Sequence, residues 1–200
     1  KRISRHSDTP QLDTPHARRR VSLVDYEYAD LIDNQDKVRS LIDPTSAYAN
    51  AAAFALGRAM DDEIIAAATG TAFTGTTGST STALGSGQAI AEGSTAGLTI
   101  AKLRTAKEKF DLANVDPSIA RYSFMGFKFI TSTRLSIASS KRLCIAFASD
   151  GIKLALGQDM MTRIDERNDK GYSTQVYVCM SIGSARLEES KVVSIQAHEA

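Results

Sequence analysis

The sequence has little of what marks a small secreted, membrane-spanning or DNA-binding protein. Its 200 residues include two cysteines, four prolines and no tryptophan. Cys144 and Cys179 lie in apolar runs without CxxC spacing, which indicates buried, reduced thiols rather than a disulfide framework. No stretch approaches the roughly 18 consecutive apolar residues of a transmembrane helix. With 24 basic and 23 acidic residues the net charge is +1, so bulk charge does not favour a dedicated DNA-binding domain.

A long helix over residues 44–68 is the clearest element that the sequence predicts. Asp43 is a suitable N-cap, and Pro44 fits the first helical position, where no backbone N–H is required. Apolar residues spaced by three and four form one stripe, namely Ala49, Ala53, Leu56, Met60, Ile64 and Ala67. The other side carries small alanines, and Arg58 and Asp62 stand at the i,i+4 spacing of a weak ion pair. The pattern predicts a long helix that packs against other segments on two of its faces.

A second amphipathic helix is predicted from 99 to 113. Its apolar face consists of Ile100, Leu103, Ala106, Phe110 and Ala113. The lysines on its other side, Lys102, Lys107 and Lys109, are expected to stay in water. Residues 69–97, between the two helices, are mostly glycine, serine and threonine, which predicts a flexible or turn-rich surface excursion.

The remaining pattern is that of strands. Apolar and acidic residues alternate within 21–32, which predicts a strand with one wet face, and Phe127 and Phe129 alternate in the same way. Two hairpins are predicted, 143–148 with 152–156 through Asp150-Gly151, and 161–164 with 175–182 through 168–171. The return strand of the second, over 173–187, is far longer than usual, and a last short strand follows at 192–195. A long helix beside long strands predicts an α+β fold.

The segment 1–32 is expected to find no core within its own chain. Residues 1–20, called the N-terminal arm below, contain two Asp-Thr-Pro triplets and end in Arg18-Arg19-Arg20. A segment with so few apolar residues is either floppy or ordered by a neighbouring molecule. For the arginine run, pairing with carboxylates of another subunit is preferred over nucleic-acid binding, because acidic neighbours dilute its charge and no aromatic platform is interleaved.

Groups that could support catalysis are few, since GxSxG, HExxH and kinase-type motifs are absent. One cluster of metal-ligand types lies in the N-terminal arm and leaves a metal-dependent hydrolase open as an alternative, through His6, Asp8, Asp13 and His16. A nucleic-acid-binding module centred on the arginine run is a second alternative. Paired carboxylates occur in 163–167, but charge of alternating sign beside a turn is typical of a solvated or intersubunit ion-pair edge.

Three runs of the sequence carry a resemblance to a known family. They are SRHSDTPQLDTPHARRRVSLVDYEYADLID, LIDPTSAYANAAAFALGRAMDDEIIAA and DMMTRIDERNDKGYSTQVYVCMSIGSARLEESKVVSI, and together they cover about half of the chain. With these runs in this order, the sequence resembles the major capsid proteins of tailed phages, particularly a set found in short-tailed phages and prophages. The resemblance implies the fold shared with herpesvirus capsid floors, which combines an extended loop, a peripheral domain and an axial domain.

The resemblance also implies how the chain is divided. The expected segments are an extended loop over 1–32, a peripheral domain over 33–98 with its spine helix at 44–68 and its excursion at 69–97, an axial domain over 99–160, the long hairpin of the peripheral domain over 161–190, and a return strand with the tail over 191–200. Two departures from the family pattern lead us to expect a longer parent chain. Members of the family begin with a further arm, different from residues 1–20, that has no counterpart before Lys1. The chain is also short between Tyr122 and Phe124.

The function implied is structural and non-enzymatic, without a cofactor. Copies of the chain would assemble as hexamers and pentamers into the icosahedral shell around the phage genome. Scaffolding, portal and decoration proteins and packaged double-stranded DNA are further expected partners, no membrane is expected, and the expected location is the virion after assembly in the host cytoplasm. The residues expected at intersubunit contacts are Arg5, Arg18, Arg19, Arg20, Arg58, Asp61, Asp62, Arg163, Asp165, Glu166 and Arg167.

Overall fold

The structure is a computed structural model that describes residues 11, 13, 16–40, 44–91, 93, 96–115 and 124–199. The described helices are α1 (Asn34–Arg39), α2 (Thr45–Thr69) and α3 (Ile100–Leu112). Both long helices confirm the sequence predictions to within about one residue, whereas the predicted cap Asp43 lies outside the described residues. Among the described helices, none is both long and apolar enough to cross a membrane.

The described strands run in both halves of the chain and vary greatly in length. They are β1 (Arg19–Arg20), β2 (Val24–Ile32), β3 (Ala72–Thr74), β4 (Thr80–Thr82), β5 (Ala89–Ile90), β6 (Ile137–Ala138), β7 (Lys141–Phe147), β8 (Ile152–Arg167), β9 (Ser173–Arg186) and β10 (Val192–His198). Mixed helices and sheets confirm the α+β prediction. The predicted strand around Phe127 and Phe129 is wrong, because Phe124 and Phe127 form only an isolated bridge there.

The larger body of the protein is a three-stranded antiparallel sheet, in the order β2-β9-β8, with α2 across one face. In β9 every second residue points at the helix, and Val176, Val178, Met180 and Ile182 are fully buried there. The small side chain of Ala52, on the helix face, lets the helix approach the sheet closely. The buried face of α2 therefore contains Ala52 and Leu56, where the sequence placed Ala53 and Leu56.

The strand β2 corrects the expectation for the segment 1–32. It pairs with β9 along its whole length, from Val24 opposite Ile182 to Ile32 opposite Thr174. The chain just before β2 also crosses the sheet, because a Cβ at Gly183 would lie 2.2 Å from the carbonyl oxygen of Ser22. Residues 24–32 thus have a partner and a core within their own chain.

The second body is a four-stranded sheet in the order β5-β10-β7-β6, with α3 packed against β10. Ala106 of α3, Val193 and Ile195 form its buried core. This pairing shows that the predicted hairpin at Asp150-Gly151 is wrong. The turn exists, with the Gly151 N–H donating to the Ala148 carbonyl, but β7 pairs with β10 while β8 pairs with β9. The chain therefore passes from one sheet to the other at this turn.

The second predicted hairpin is confirmed and forms the longest feature of the protein. The strands β8 and β9 pair from Ile152 opposite Arg186 to Arg167 opposite Ser173, with two irregularities near Gln158. A short 3-10 turn at 168–170 and Gly171, at a left-handed φ of 62°, join them. Residue 160, the expected end of the axial domain, lies within the continuous strand β8.

A small third sheet, in the order β1-β3-β4, joins the N-terminal arm to the segment that follows α2. The Gly/Ser/Thr-rich excursion thus contains a short hairpin, β3 and β4, rather than only turns. Lys102 is a further correction, since its side chain is buried. The Lys102 ammonium donates to the carbonyls of Ala96, Gly97 and Gln196 at 2.8, 3.1 and 2.9 Å, so it ties α3 to β10.

Candidate intersubunit contact surface

The strand β8 is the largest open feature of the described protein. From Leu156 to Arg167 every residue is exposed, although the strand is paired with β9 on one side. Its other edge has no strand partner among the described residues. An edge strand offers a row of unpaired N–H and C=O groups, and soluble monomers usually keep such edges short or covered. The segment from Leu156 to Arg167, called the open edge below, is therefore suited to contact another molecule.

Apolar side chains along the open edge reinforce this interpretation. Leu156 is 54% exposed and Ile164 47% exposed, yet their partners across the ladder, Ile182 and Val176, are fully buried beneath α2. The helix covers the middle of the sheet and the start of β8, where Leu154 packs against the core, but leaves the face of β8 from Leu156 onward uncovered. An uncovered apolar stripe beside an unpaired edge is typical of a protein interaction surface.

The N-terminal arginines have three different environments. Arg19 is almost buried, and its guanidinium donates to the Leu187 carbonyl and to the Glu189 carboxylate, both at 2.8 Å. The Arg20 guanidinium stacks over the Phe73 ring at 4.8 Å. Arg18 is exposed, with its carbonyl accepting a bond from the Thr74 hydroxyl. Within the described chain, Arg18 is thus the most available of the three for another subunit.

The charged group on α2 is only partly available. Arg58 and Asp61 are exposed, but Asp62 does not form the predicted pair with Arg58. Instead, Asp62 accepts a bidentate pair from Arg134, which lies in the loop before β6. The hydrogen bond from Arg134 lowers the pKa of Asp62. This loop residue gave no sequence signal, because the contact joins positions that lie far apart along the chain.

The remaining predicted contact residues lie near the tip of the long hairpin. Arg163, Asp165 and Glu166 are exposed on the open edge. Arg167 pairs with Asp169 through two hydrogen bonds of 2.7 Å, and that bond lowers the pKa of Asp169 to about 2. The strand β9 separates this tip from Arg19 by about 40 Å, at 3.3 Å per residue. The predicted residues therefore line an extended surface and do not converge on one site.

A shallow depression lies on the outer face of the larger sheet. It is lined by Asp25, Tyr26, Glu27, Gln158, Tyr177, Cys179, Met180 and Ser181. Asp25 accepts a hydrogen bond from the Ser181 hydroxyl, and the pKa of Tyr177 is raised to about 12 by its hydrogen bond with Cys179 and by burial. With so high a pKa the Tyr177 phenol stays protonated near neutral pH, so it is not itself a general base there.

The metal-site alternative receives no support from the described residues. Those residues hold no group of three or more histidine, cysteine or acidic side chains placed to bind a metal ion. Asp13 and His16 are exposed, whereas His6 and Asp8 lie outside the described residues, as does Arg5. Cys144 and Cys179 are both free and half-buried, in different sheets.

Comparison with known proteins agrees with this geometry. The model of the family described as phage capsid protein matches residues 1–123 and 120–199. No curated protein matches in sequence. The fold is similar to the capsid structure of the cyanophage P-SCSP1u, with a TM-score of 0.61 and 16% identity over all of this chain and 81% of that one. It is also similar to a structure from Mycobacterium phage Che8, with a TM-score of 0.57 and 14% identity over 86% and 70% of the two chains.

A third similar structure is the holo-SrpI encapsulin complex from Synechococcus elongatus, with a TM-score of 0.55 and 13% identity over 90% of this chain and 74% of that one. At such identities the structural likeness establishes the fold, and the family match covers almost the whole chain. The open edge and the dispersed charged residues fit a protein that works by contact. The chain therefore belongs to the phage capsid protein family, whose members are structural proteins of the shell.

Proposed function

We propose that the open edge of β8 is where neighbouring copies of this chain cover one another in the shell. The observation that supports this most directly is the contrast across one ladder, where Ile164 is half exposed and Val176, opposite it, is fully buried. Covering Leu156 and Ile164 would remove apolar area from water at about 25 cal/mol per Å². The free N–H and C=O groups of the edge would gain hydrogen-bond partners at the same time.

We also propose a division of the chain along the two sheets. In our proposal the β2-β9-β8 sheet with α2 is the peripheral domain, and the β5-β10-β7-β6 sheet with α3 is the axial domain around fivefold and sixfold centres. The boundary then lies at the turn 148–151, where the chain changes sheets, rather than at residue 160. Residues 16–23, just before β2, would form the returning part of the extended loop, which reaches a neighbouring copy.

Assembly in this proposal depends on many weak contacts. Each copy in a closed shell repeats the same interfaces, so contacts that are weak singly become strong together. The exposed charges of the hairpin tip, Arg163, Asp165 and Glu166, would pair with those of neighbours, and Arg18 and Arg58 would do the same. The protein has no catalytic step in this account. Scaffolding, portal and decoration proteins, packaged DNA and assembly in the host cytoplasm belong to the same proposal.

The test replaces one half-exposed residue of the open edge. Ile164→Lys places a charge on the contact face while Val176 and α2 remain packed, so the subunit is expected to fold as before. Particle formation, followed by negative-stain microscopy and sedimentation, is expected to fall at least about tenfold, because burying an unpaired charge costs more than about 1.4 kcal/mol per contact.

The matched control is Ile164→Val, which keeps an apolar side chain and is expected to form normal particles. Circular dichroism of both variants checks that the subunits are folded. Normal particles from Ile164→Lys, with the subunit folded, would show that the open edge faces solvent in the shell and would overturn the proposal.

A further inference from the structure

The C-terminal end of α2 is bonded by Arg186, the last residue of β9, at the end of the hairpin opposite its turn. Arg186 is fully buried, and one of its terminal nitrogens, Nη1, donates to the carbonyls of Ala68 and Gly70 at 2.9 and 2.8 Å. The other, Nη2, donates to the Thr82 carbonyl at 3.1 Å. The last carbonyls of a helix lack partners within it, and a cation there also interacts favourably with the helix dipole. Arg186 is thus the C-terminal cap of the long helix.

A carboxylate stands between this cap and the N-terminal arm. Glu189 accepts a hydrogen bond from Arg19 Nη2 through Oε2, at 2.8 Å. Its second oxygen, Oε1, lies 3.8 Å from Arg186 Nε, beyond hydrogen-bond distance. One carboxylate therefore faces two guanidinium groups, and it is bonded to only one of them.

Three buried polar atoms of this cluster lack a partner within the described chain. They are Arg19 Nη1, Arg186 Nε and Glu189 Oε1. Buried polar groups are nearly always hydrogen-bonded, and each exception calls for an explanation. Two of these atoms, Arg186 Nε and Glu189 Oε1, face each other and would bond if the carboxylate moved by about one ångström. The cluster therefore has a second arrangement within reach, in which Glu189 bonds to Arg186.

We propose that Glu189 is a two-position latch, which holds Arg19 in the free subunit and turns to Arg186 when β1 separates from β3. The movement exchanges the charge-assisted bond from Arg19 for one from Arg186, so release of Arg19 leaves the carboxylate paired and loses only the bond from Arg19 Nε to the Leu187 carbonyl. Without this exchange, opening would leave the half-buried Glu189 carboxylate without a guanidinium partner, at a higher cost. The latch would regulate when the arm becomes free to dock on a neighbour, and only this last step rests on the proposed function.

The test uses unassembled full-length subunits, so it does not depend on shell formation. Arg19→Ala removes the competing guanidinium, and Glu189 is then expected to bond to Arg186 Nε. The Nε–H resonance of Arg186 should shift, and its exchange with solvent should slow about tenfold, as expected for one added charge-assisted hydrogen bond. The double variant Arg19→Ala with Glu189→Gln should lose most of this slowing.

A second measurement follows the arm itself. In Glu189→Gln, hydrogen exchange of the β1 and β3 amides should rise about tenfold, while exchange at Val178 and Ile182 in the core stays unchanged. The matched control is Glu188→Gln, because Glu188 is the neighbouring carboxylate and pairs with Lys191 instead. An unchanged Arg186 resonance in Arg19→Ala, or an arm as protected in Glu189→Gln as in the parent, would overturn the latch. Neither result bears on whether the open edge is an assembly contact.

Discussion

The two strands of the long hairpin share a ladder and a turn, yet their environments are opposite. The strand β9 lies between β2 and β8 and under α2, and all of it is buried or half-buried. The strand β8 is buried only at its first residue and is exposed along the whole open edge. The hairpin thus joins a strand that lies in the core of the subunit to a strand whose open edge is exposed.

This difference shows how one hairpin can supply a buried core and also present an exposed edge of the kind that the proposed assembly requires. Folding free energy is concentrated where β9 meets α2, because that is where apolar side chains leave water. The open edge contributes little to that core, so its apolar residues can be kept for contacts between copies. A half-exposed Leu156 and Ile164 beside an unpaired edge are what we expect of a surface that another copy covers.

The largest expected effect is a difference in the free energy of unfolding between two alanine variants, at residues that face each other across the ladder. Ile182→Ala empties a fully buried site and should lower the free energy of unfolding by about 2 to 5 kcal/mol. Leu156→Ala, at the opposite position, should lower it by about 1 kcal/mol or less, because its side chain is already half in water. Urea unfolding of the unassembled subunit measures both. Equal losses would mean that β8 belongs to the core as fully as β9 does.

A smaller effect concerns the backbone of the two strands. In unassembled subunits, the β8 amides that point away from β9 have no strand partner in the described structure and should exchange with solvent readily. The β9 amides should exchange at least about hundredfold more slowly, since their opening requires global unfolding. Hydrogen-exchange mass spectrometry of subunits and of particles compares the two states. If β8 stays equally unprotected in particles, the edge does not become paired in the shell.

The smallest effect is at the hairpin tip, where the two strands meet. The pair with Arg167 depresses the pKa of Asp169 from 3.8 to about 2 in the folded protein. Because the folded pKa is the lower one, the pair stabilises the tip above about pH 4, and that contribution is lost as the pH falls towards 2. Both side chains are exposed, so the overall effect on unfolding should be slight.

NMR titration of the Asp169 carboxyl group measures this pKa directly. The parent should titrate near 2, and Arg167→Gln should return the midpoint towards 3.8, with little change in the rest of the spectrum. Arg163→Gln serves as the control, because Arg163 lies on the same strand without a hydrogen bond to Asp169. A midpoint near 3.8 in the parent would mean that the tip pair does not persist in solution.

Local patterns in the sequence predicted the elements that local chemistry controls. Spacing by three and four, together with Pro44, predicted α2. Alternation predicted β2, and the turn residues at 168–171 predicted the β8–β9 hairpin. Both long helices and this hairpin are confirmed, because their hydrogen bonds join residues near one another in sequence. The three matching runs also led to the capsid family, which the family match confirms.

The predictions that failed, and the interactions that were missed, involve residues that lie far apart in the sequence. Asp150-Gly151 has ordinary turn chemistry, but whether its two flanking strands pair depends on β10, which follows only after the whole long hairpin. Lys102 was expected in water because its acceptor, the carbonyl of Gln196, lies 94 residues further along the chain. Arg134, Arg186 and Glu189 gave no signal at all, since each finds its partner only after the sheets and α2 have packed.

The sequence by itself determined the α+β character, the two long helices, the long hairpin and the family, because periodicity and turn residues act over a few positions. Only the tertiary structure decided which edge stays open, which arginine is paired within the chain and which carboxylate faces two cations. Those outcomes depend on which surfaces α2 and β9 cover, and burial is a property of the packed chain rather than of any local run.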